Sequence, residues 1–281
     1  MVYLTIGNPP KTIAFNYPDF MAEQIENSIF SAIISHESAE SYIRYNIDHS
    51  GNKLYLQRNG RLTHQNKSSQ KIIYALEWQV LKDALNSYKK DYKFHAAGLS
   101  HKNNGCLFVG DSSAGKTSIS MVLMELGWEL LSDEFGILNP GSLKLYPFPR
   151  NFIIKPHHPV DAVLKSRFVN VAYNTGTRKI KIAYIPPTVF GKVASQPVKL
   201  KSVYFLKYSE LSTYRITPLG QTEAFANLIK QLYNPHLFKR NSLDHLLNLL
   251  NNISFFQLLL PNPFNLEPAQ QESLSKQLIS G

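Results

Sequence analysis

Eight consecutive residues limit what this chain can become: Gly110-Asp-Ser-Ser-Ala-Gly115-Lys116-Thr117. They satisfy G-x-x-x-x-G-K-[ST] in full, and they stand between a β-prone apolar run at 105–109 and a helical pattern that continues to about residue 126. Glycines let the backbone curl so that its N–H groups point inward, and the start of a helix adds further donors and a partial positive charge. Together these make a cradle for phosphate. The cradle works only as a strand–loop–helix, so the motif requires an α/β layer around it. Within it, Lys116 is expected to reach the β- and γ-phosphates of a nucleotide, and the Thr117 hydroxyl to ligate Mg²⁺. The cofactor-binding residues read from the motif are Gly110, Asp111, Ser112, Ser113, Ala114, Gly115, Lys116, Thr117 and Ser118.

The next element supplies acids. Gly127 stops the helix, 128–131 reads as another strand, and Asp133-Glu134 follows it. A strand, one crossover helix and a following parallel strand bring both strand C-termini to one edge of a sheet. That order sets Asp133 beside the loop, where a metal-ligating or proton-accepting carboxylate is needed, with Glu134 as a further metal candidate. His95, in Phe94-His95-Ala-Ala-Gly98, precedes the loop strand and is a candidate catalytic group. Arg150 follows Tyr146-Pro-Phe-Pro, and the prolines flanking Phe148 imply a rigid loop that places it. Arg150 is the fourth catalytic candidate after Asp133, His95 and Lys116; Lys155 is a weaker substrate-side cation. His157-His158 has no acid or cysteine at metal-ligand spacing, so no metal site is assigned there. Cys106 sits in an apolar strand and reads as inert.

Charge points to an anionic partner. The formal net charge is +10, from 30 Lys and Arg against 20 Asp and Glu. Between residues 150 and 207 eleven cations face one acid, Asp161, so the excess is regional. With 43% hydrophobic residues among 281 the chain has material for a core, and its single cysteine excludes a disulfide framework. No apolar run approaches the ~18 residues of a membrane span, and the N-terminus lacks the pattern of a signal peptide. A cytoplasmic protein without a membrane partner is expected.

Two domains are expected. The first ninety residues read as a small α+β module: strands at 3–6, 12–17 and 41–48, helical spacing at 20–34, a hairpin around 53–58, and an amphipathic helix at 69–88 through Ile72, Ile73, Leu76, Trp78, Val80, Leu81 and Leu85. Lys89-Lys90-Asp91 marks the boundary, and 91–281 reads as the domain built on the loop. Within it, short β runs fall at 151–154, 179–185 and 202–206, helices at 222–233 and 242–251, a strand at 253–260 and a terminal helix at 268–279.

His95-Ala-Ala-Gly, the strand 106–109, the phosphate loop and Leu130-Leu-Ser-Asp133-Glu134 together resemble the HPr kinase/phosphorylase family. The similarity is greatest to its shorter relatives, including kinases that phosphorylate lasso-type peptides, and spans about forty residues, 94–135. It implies a P-loop kinase domain of the HPr kinase and phosphoenolpyruvate carboxykinase type. It also implies transfer of the γ-phosphoryl of ATP, with Mg²⁺, to a serine hydroxyl. On that resemblance His95 lies near the transferred phosphate, Asp133 matches the first acid of an Asp-Asp pair and accepts the hydroxyl proton, and Glu134 replaces the second. The family's downstream E-x-R-G-x-G element does not occur here, so neither HPr as substrate nor the phosphorylase reaction is carried over. The family's hexamer is not carried over either, and self-association is left open.

The expected function is therefore an ATP- and Mg²⁺-dependent kinase acting on a peptide or protein serine, anionic near the site. Two rivals stand beside it. One takes a small hydroxy metabolite such as free serine; the other is a nucleotide-dependent regulator or nucleic-acid-binding module. Nucleic acid is disfavoured because the basic segment has no helix-turn-helix or RNA-binding motif and no stacking platform.

Overall fold

In the computed structural model of the chain the described residues are 1–7, 10–28, 30, 34–37, 40, 42–154, 169–175, 178–237 and 243–280. They form a mixed α/β structure with several sheets. Their contacts divide the chain into two units, Met1–Lys89 with Arg150–Pro186, and Lys90–Pro149 with Pro187–Gly281.

The first unit is built on a sheet whose described strands run Ile34–Ser35, Val2–Ile6, Lys11–Asn16, Ile43–Ser50, Lys53–Arg58 and Arg61–Asn66 from edge to edge. Asn59 and Gly60 both have positive φ, 49° and 76°, and they join Arg58 to its partner Arg61. That is the backbone a two-residue hairpin turn demands, and Asn-Gly supplies it at little strain. The helix Ser69–Ser87 covers the sheet with Ile72, Ile73, Leu76, Val80 and Ala84. Trp78, expected on this face, is 56% exposed. It lies roughly 200° around the helix from Leu76 at 100° per residue, and it meets Tyr74 edge-on at 6.3 Å on the outer face. Of the helical spacing at 20–34, the described residues hold a 3₁₀ turn, Asp19–Met21, and the short helix Ala22–Glu26, while 29 and 31–33 lie outside the described residues. The Asn27 side chain donates back to the Glu23 carbonyl and closes that helix's last turn.

Residues 150–186, which the sequence reading assigns to the second domain, group with the first unit. There Phe152–Ile154 pairs with Arg178–Ile185, which pairs in turn with Val169–Thr175. Two side-chain bonds attach this segment: Asn151 Nδ2 donates to the Ser28 carbonyl, and the Tyr184 hydroxyl donates to Glu77 Oε2. The run of cations is thus continuous in sequence and shared between the two units. Among the described residues Arg150, Arg178, Lys179 and Lys181 fall in the first unit, and Lys192, Lys199, Lys201 and Lys207 lie exposed in the second.

The second unit is organised by a strand that the sequence does not announce, Tyr92–His101. One edge of its C-terminal half pairs antiparallel with Asn104–Val109, and its other edge pairs antiparallel with Glu129–Ser132 and then Phe135–Asn139. Asn104–Val109 runs parallel to Val198–Tyr208, itself parallel to Ser254–Leu260, and Arg215–Pro218 adds an antiparallel edge. The hairpin strand Lys144–Tyr146 then pairs with both Phe135–Asn139 and Val198–Tyr208. The strands on either side of the helix Lys116–Glu125 are therefore parallel to one another, as expected, but not neighbours: Tyr92–His101 runs antiparallel between them. Leu107, Val109, Leu131, Val203 and Phe205 fill the core with Leu228 and Leu249 from the helices Gln221–Lys230 and Leu243–Asn252. The C-terminal helix Pro268–Ser280 is fixed by Trp128, whose indole N–H donates to Ser275 Oγ at 2.8 Å. No helix among the described residues is long and apolar enough to cross a membrane.

One polar knot in the first unit tests this account of its stability. Asp83 accepts from the Tyr45 hydroxyl at 2.6 Å and from Arg58 Nε and Nη2 at 2.7 and 2.9 Å. Asp83→Asn cannot accept both nitrogens of the guanidinium and is expected to lower stability by about 1–3 kcal/mol. Denaturant unfolding should show a reduced midpoint with the slope unchanged.

Candidate active site

The loop between Asn104–Val109 and Lys116–Glu125 is shaped by two glycines with different duties. A Cβ on Gly110 would lie 2.9 Å from Ala114 Cβ and 3.2 Å from both Cβ and O of Leu206, so close approach of the backbone excludes any side chain. Gly115 has open space around it, and its φ of +97° is what requires glycine. Ser113 is also left-handed, at +69°, and Ala114 N donates to the Asp111 carbonyl, tightening the turn. Gly115 caps the helix, so the left-handed pair delivers the chain into its first turn.

Lys116 is buried, and its ammonium lies over the loop, donating to the carbonyls of Gly110 at 2.6 Å and Asp111 at 3.0 Å. Thr117, one residue on, donates its hydroxyl to Asp133 Oδ2 at 2.9 Å. Asp133 is also buried. Opposite it the chain passes Ala96 and Ala97, and Ala96 N donates to the Glu134 carbonyl. The small residues beside His95 let the acid turn lie close against the central strand.

His95 stands on that strand at the same edge. Its Nε2 is 3.5 Å from Glu134 Oε1, its Nδ1 is 3.3 Å from Gln231 Oε1, and its ring meets Tyr233 edge-on at 5.9 Å. Gln231 Nε2 goes on to donate to Asp111 Oδ1 at 3.0 Å. The segment carrying Gln231 and Tyr233 follows the helix Gln221–Lys230 and docks along the central strand, with His95 N donating to the Gln231 carbonyl and Tyr233 N to the Lys93 carbonyl. Burial holds the His95 imidazole below its ordinary value of 6.5; the Lys116 ammonium pushes the same way, and Glu134, Gln231 and Asp111 pull against them.

The second unit thus brings together Asp111, Lys116, Thr117, Asp133, Glu134 and His95 of the residues read from sequence. Ser112 and Ser113 lie exposed on the loop, and Ser118 is buried on the helix. Arg150 is buried, and it opens the segment that groups with the first unit. Lys155 and His157-His158 lie outside the described residues. Cys106 is buried, which pushes its thiol up to about 12 and agrees with an inert role. No motif marks Gln231 and Tyr233 in the sequence; only the end of a helical pattern lies there.

The Thr117–Asp133 pair offers a hydroxyl and a carboxylate oxygen side by side. Hard oxygens in that number suit Mg²⁺, which keeps several waters and takes phosphate oxygens rather than needing a full protein cage. Among the described residues no cluster of three or more His, Cys, Asp or Glu forms such a cage.

No protein-family model matches the chain, and no curated protein matches it. Among solved structures, the Hpr(Ser) kinase/phosphatase from Coxiella burnetii aligns with a TM-score of 0.28 and 14% identity, over 67% of this chain and 94% of that one. A likeness so slight bears neither on the fold nor on the activity.

The cause of the His95 shift can be measured. An NMR titration is expected to place the His95 midpoint below 6.5 and to move it upward in Lys116→Met, since removing the neighbouring cation makes protonation easier. A midpoint that stays put would remove Lys116 from the local field.

Proposed function

We propose that this chain is a kinase that transfers the γ-phosphoryl of ATP, with Mg²⁺, to a hydroxyl, the acceptor being a serine of a peptide or protein. The observation that carries the reading is the Thr117–Asp133 bond at 2.9 Å. It joins the residue after the loop lysine to the acid turn, which supports a reading in which the loop takes phosphate and Asp133 takes the metal. The serine acceptor rests on the motif resemblance alone.

Phosphoryl transfer asks little covalent chemistry of the protein and much positioning. The backbone of 110–117 would hold the triphosphate. Lys116 would exchange its bonds to the Gly110 and Asp111 carbonyls for β- and γ-phosphate oxygens. Thr117 and Asp133 would hold Mg²⁺, which when bound neutralises charge on those oxygens. Glu134 and His95 border the place where an acceptor hydroxyl would enter. Arg150 as a further cation on the phosphoryl in flight remains part of the proposal on its sequence position.

Incubation with γ-labelled ATP, Mg²⁺ and a pool of serine peptides should transfer label to peptide. Lys116→Ala should lower the rate by about 100-fold or more, and Asp133→Asn should raise the Mg²⁺ concentration needed for half-maximal transfer. Transfer unaffected by Lys116→Ala would refute the reading. Label appearing on free serine and on no peptide would move the acceptor to the small-molecule class.

A further inference from the structure

We infer that Gln231 is a positioning residue that fixes which nitrogen of His95 carries its permanent proton, leaving Nε2, beside Glu134, as the atom that takes the proton of the entering hydroxyl. The tautomer assignment stands on hydrogen-bond polarity alone; the catalytic clause rests on the kinase reading above.

The polarity follows along a chain of three side chains. Asp111 is a carboxylate and only accepts, so the group facing its Oδ1 at 3.0 Å must be the amide nitrogen of Gln231. Turning that amide over would set two oxygens against each other. The amide oxygen of Gln231 is thereby committed to His95 Nδ1, 3.3 Å away. A carbonyl oxygen also only accepts, so Nδ1 must carry hydrogen. This holds whether or not the ring is charged, and Nε2 is therefore the only imidazole position whose proton comes and goes. The backbone makes the arrangement rigid: His95 N donates to the Gln231 carbonyl at 2.7 Å, and the edge of Tyr233 meets the ring. Gln231 and Tyr233, which meet Nδ1 and the ring, lie in one short segment.

On its other side Nε2 lies 3.5 Å from Glu134 Oε1. With the proton on Nδ1, Nε2 and Glu134 Oε1 are two acceptors side by side. Such a pair addresses a donor, and an acceptor hydroxyl is one. Asp133 is turned differently, with Oδ2 engaged by Thr117 on the metal side. In the transfer, the hydroxyl oxygen forms a bond to the γ-phosphorus, and the bond from that phosphorus to the β–γ bridging oxygen breaks. The electron pair leaves with ADP, and the hydroxyl proton moves to Nε2. Glu134 then faces the new N–H. Lys116 and Asp111, on the loop side of the ring, complete its charged surroundings.

The test reads the tautomer and the kinetics separately. Long-range ¹H–¹⁵N correlation on the histidine-labelled full chain should show Nδ1 protonated in the unmodified protein. Gln231→Leu should shift the population toward the Nε2–H form. Asp111→Ala, on the exposed loop, should release the amide and mix the tautomers even if Gln231→Leu fails to fold. In peptide phosphorylation, Gln231→Leu should lower kcat by about 10- to 100-fold and leave KM for ATP within about twofold. An Nε2–H tautomer in the unmodified protein, or one unmoved by Gln231→Leu and Asp111→Ala, overturns the inference whatever the activity. A raised KM with kcat intact overturns the catalytic clause. The Nδ1–H tautomer in a protein that transfers no phosphate would sink the kinase reading and leave the assignment of Gln231 standing.

Discussion

The second unit depends on the two-sided pairing of Tyr92–His101. Asn104–Val109 occupies one edge of that strand and the acid-bearing stretch from Glu129 to Asn139 occupies the other. A strand paired on both sides fixes the relative level of its neighbours by register rather than by flexible contacts. That register sets Val109, the last residue before the loop, across from Ala96. It also sets Phe135, the first residue after the acid turn, across from His95. Loop, acids and histidine meet at one level because one strand measures all three.

Small residues make this level usable. Ala96, Ala97 and Gly98 carry almost nothing outward, so the acid turn packs against backbone. Gly110 lets Leu206 approach the loop closely. The charges then compensate locally. Lys116 is satisfied by loop carbonyls, Asp133 accepts from Thr117, and His95 has a carboxylate on one side and an amide on the other. Buried polar groups so arranged are costly to leave unpaired and hold a defined geometry when paired.

Much of this was legible because the signals are local. A loop that must bend left-handed shows its glycines, and a helix that starts on it shows its apolar period. Asn59-Gly60 shows the hairpin. The hidden parts are those decided at a distance. Tyr92–His101 lacks the alternation of a half-buried strand because both of its faces are covered, with Ala96, Ala97, Gly98, Leu99 and Ser100 all buried. Trp78 misled through size: its spacing departs from that of Ile73, Leu76 and Val80, and hydrophobicity alone drew it onto the wrong face. Within 20–34 the helix Ala22–Glu26 stops at Asn27, whose side chain competes for the backbone. The division of 150–186 from its sequence neighbours rests on strand pairing and on the Asn151 and Tyr184 bonds, none of which has a short-range trace.

The sequence by itself determined the loop, its lysine and threonine, and the acids and histidine near it, because each is a residue type that its local backbone or chemistry demands. Tertiary structure decided their company. It turned Asp133 toward Thr117, set Glu134 beside His95, and brought Gln231 from more than a hundred residues away to join His95 to Asp111. It also assigned Arg150 to the other unit. The physical reason is that side-chain polarity is written in the sequence, but which donor meets which acceptor is fixed only when strands take their register.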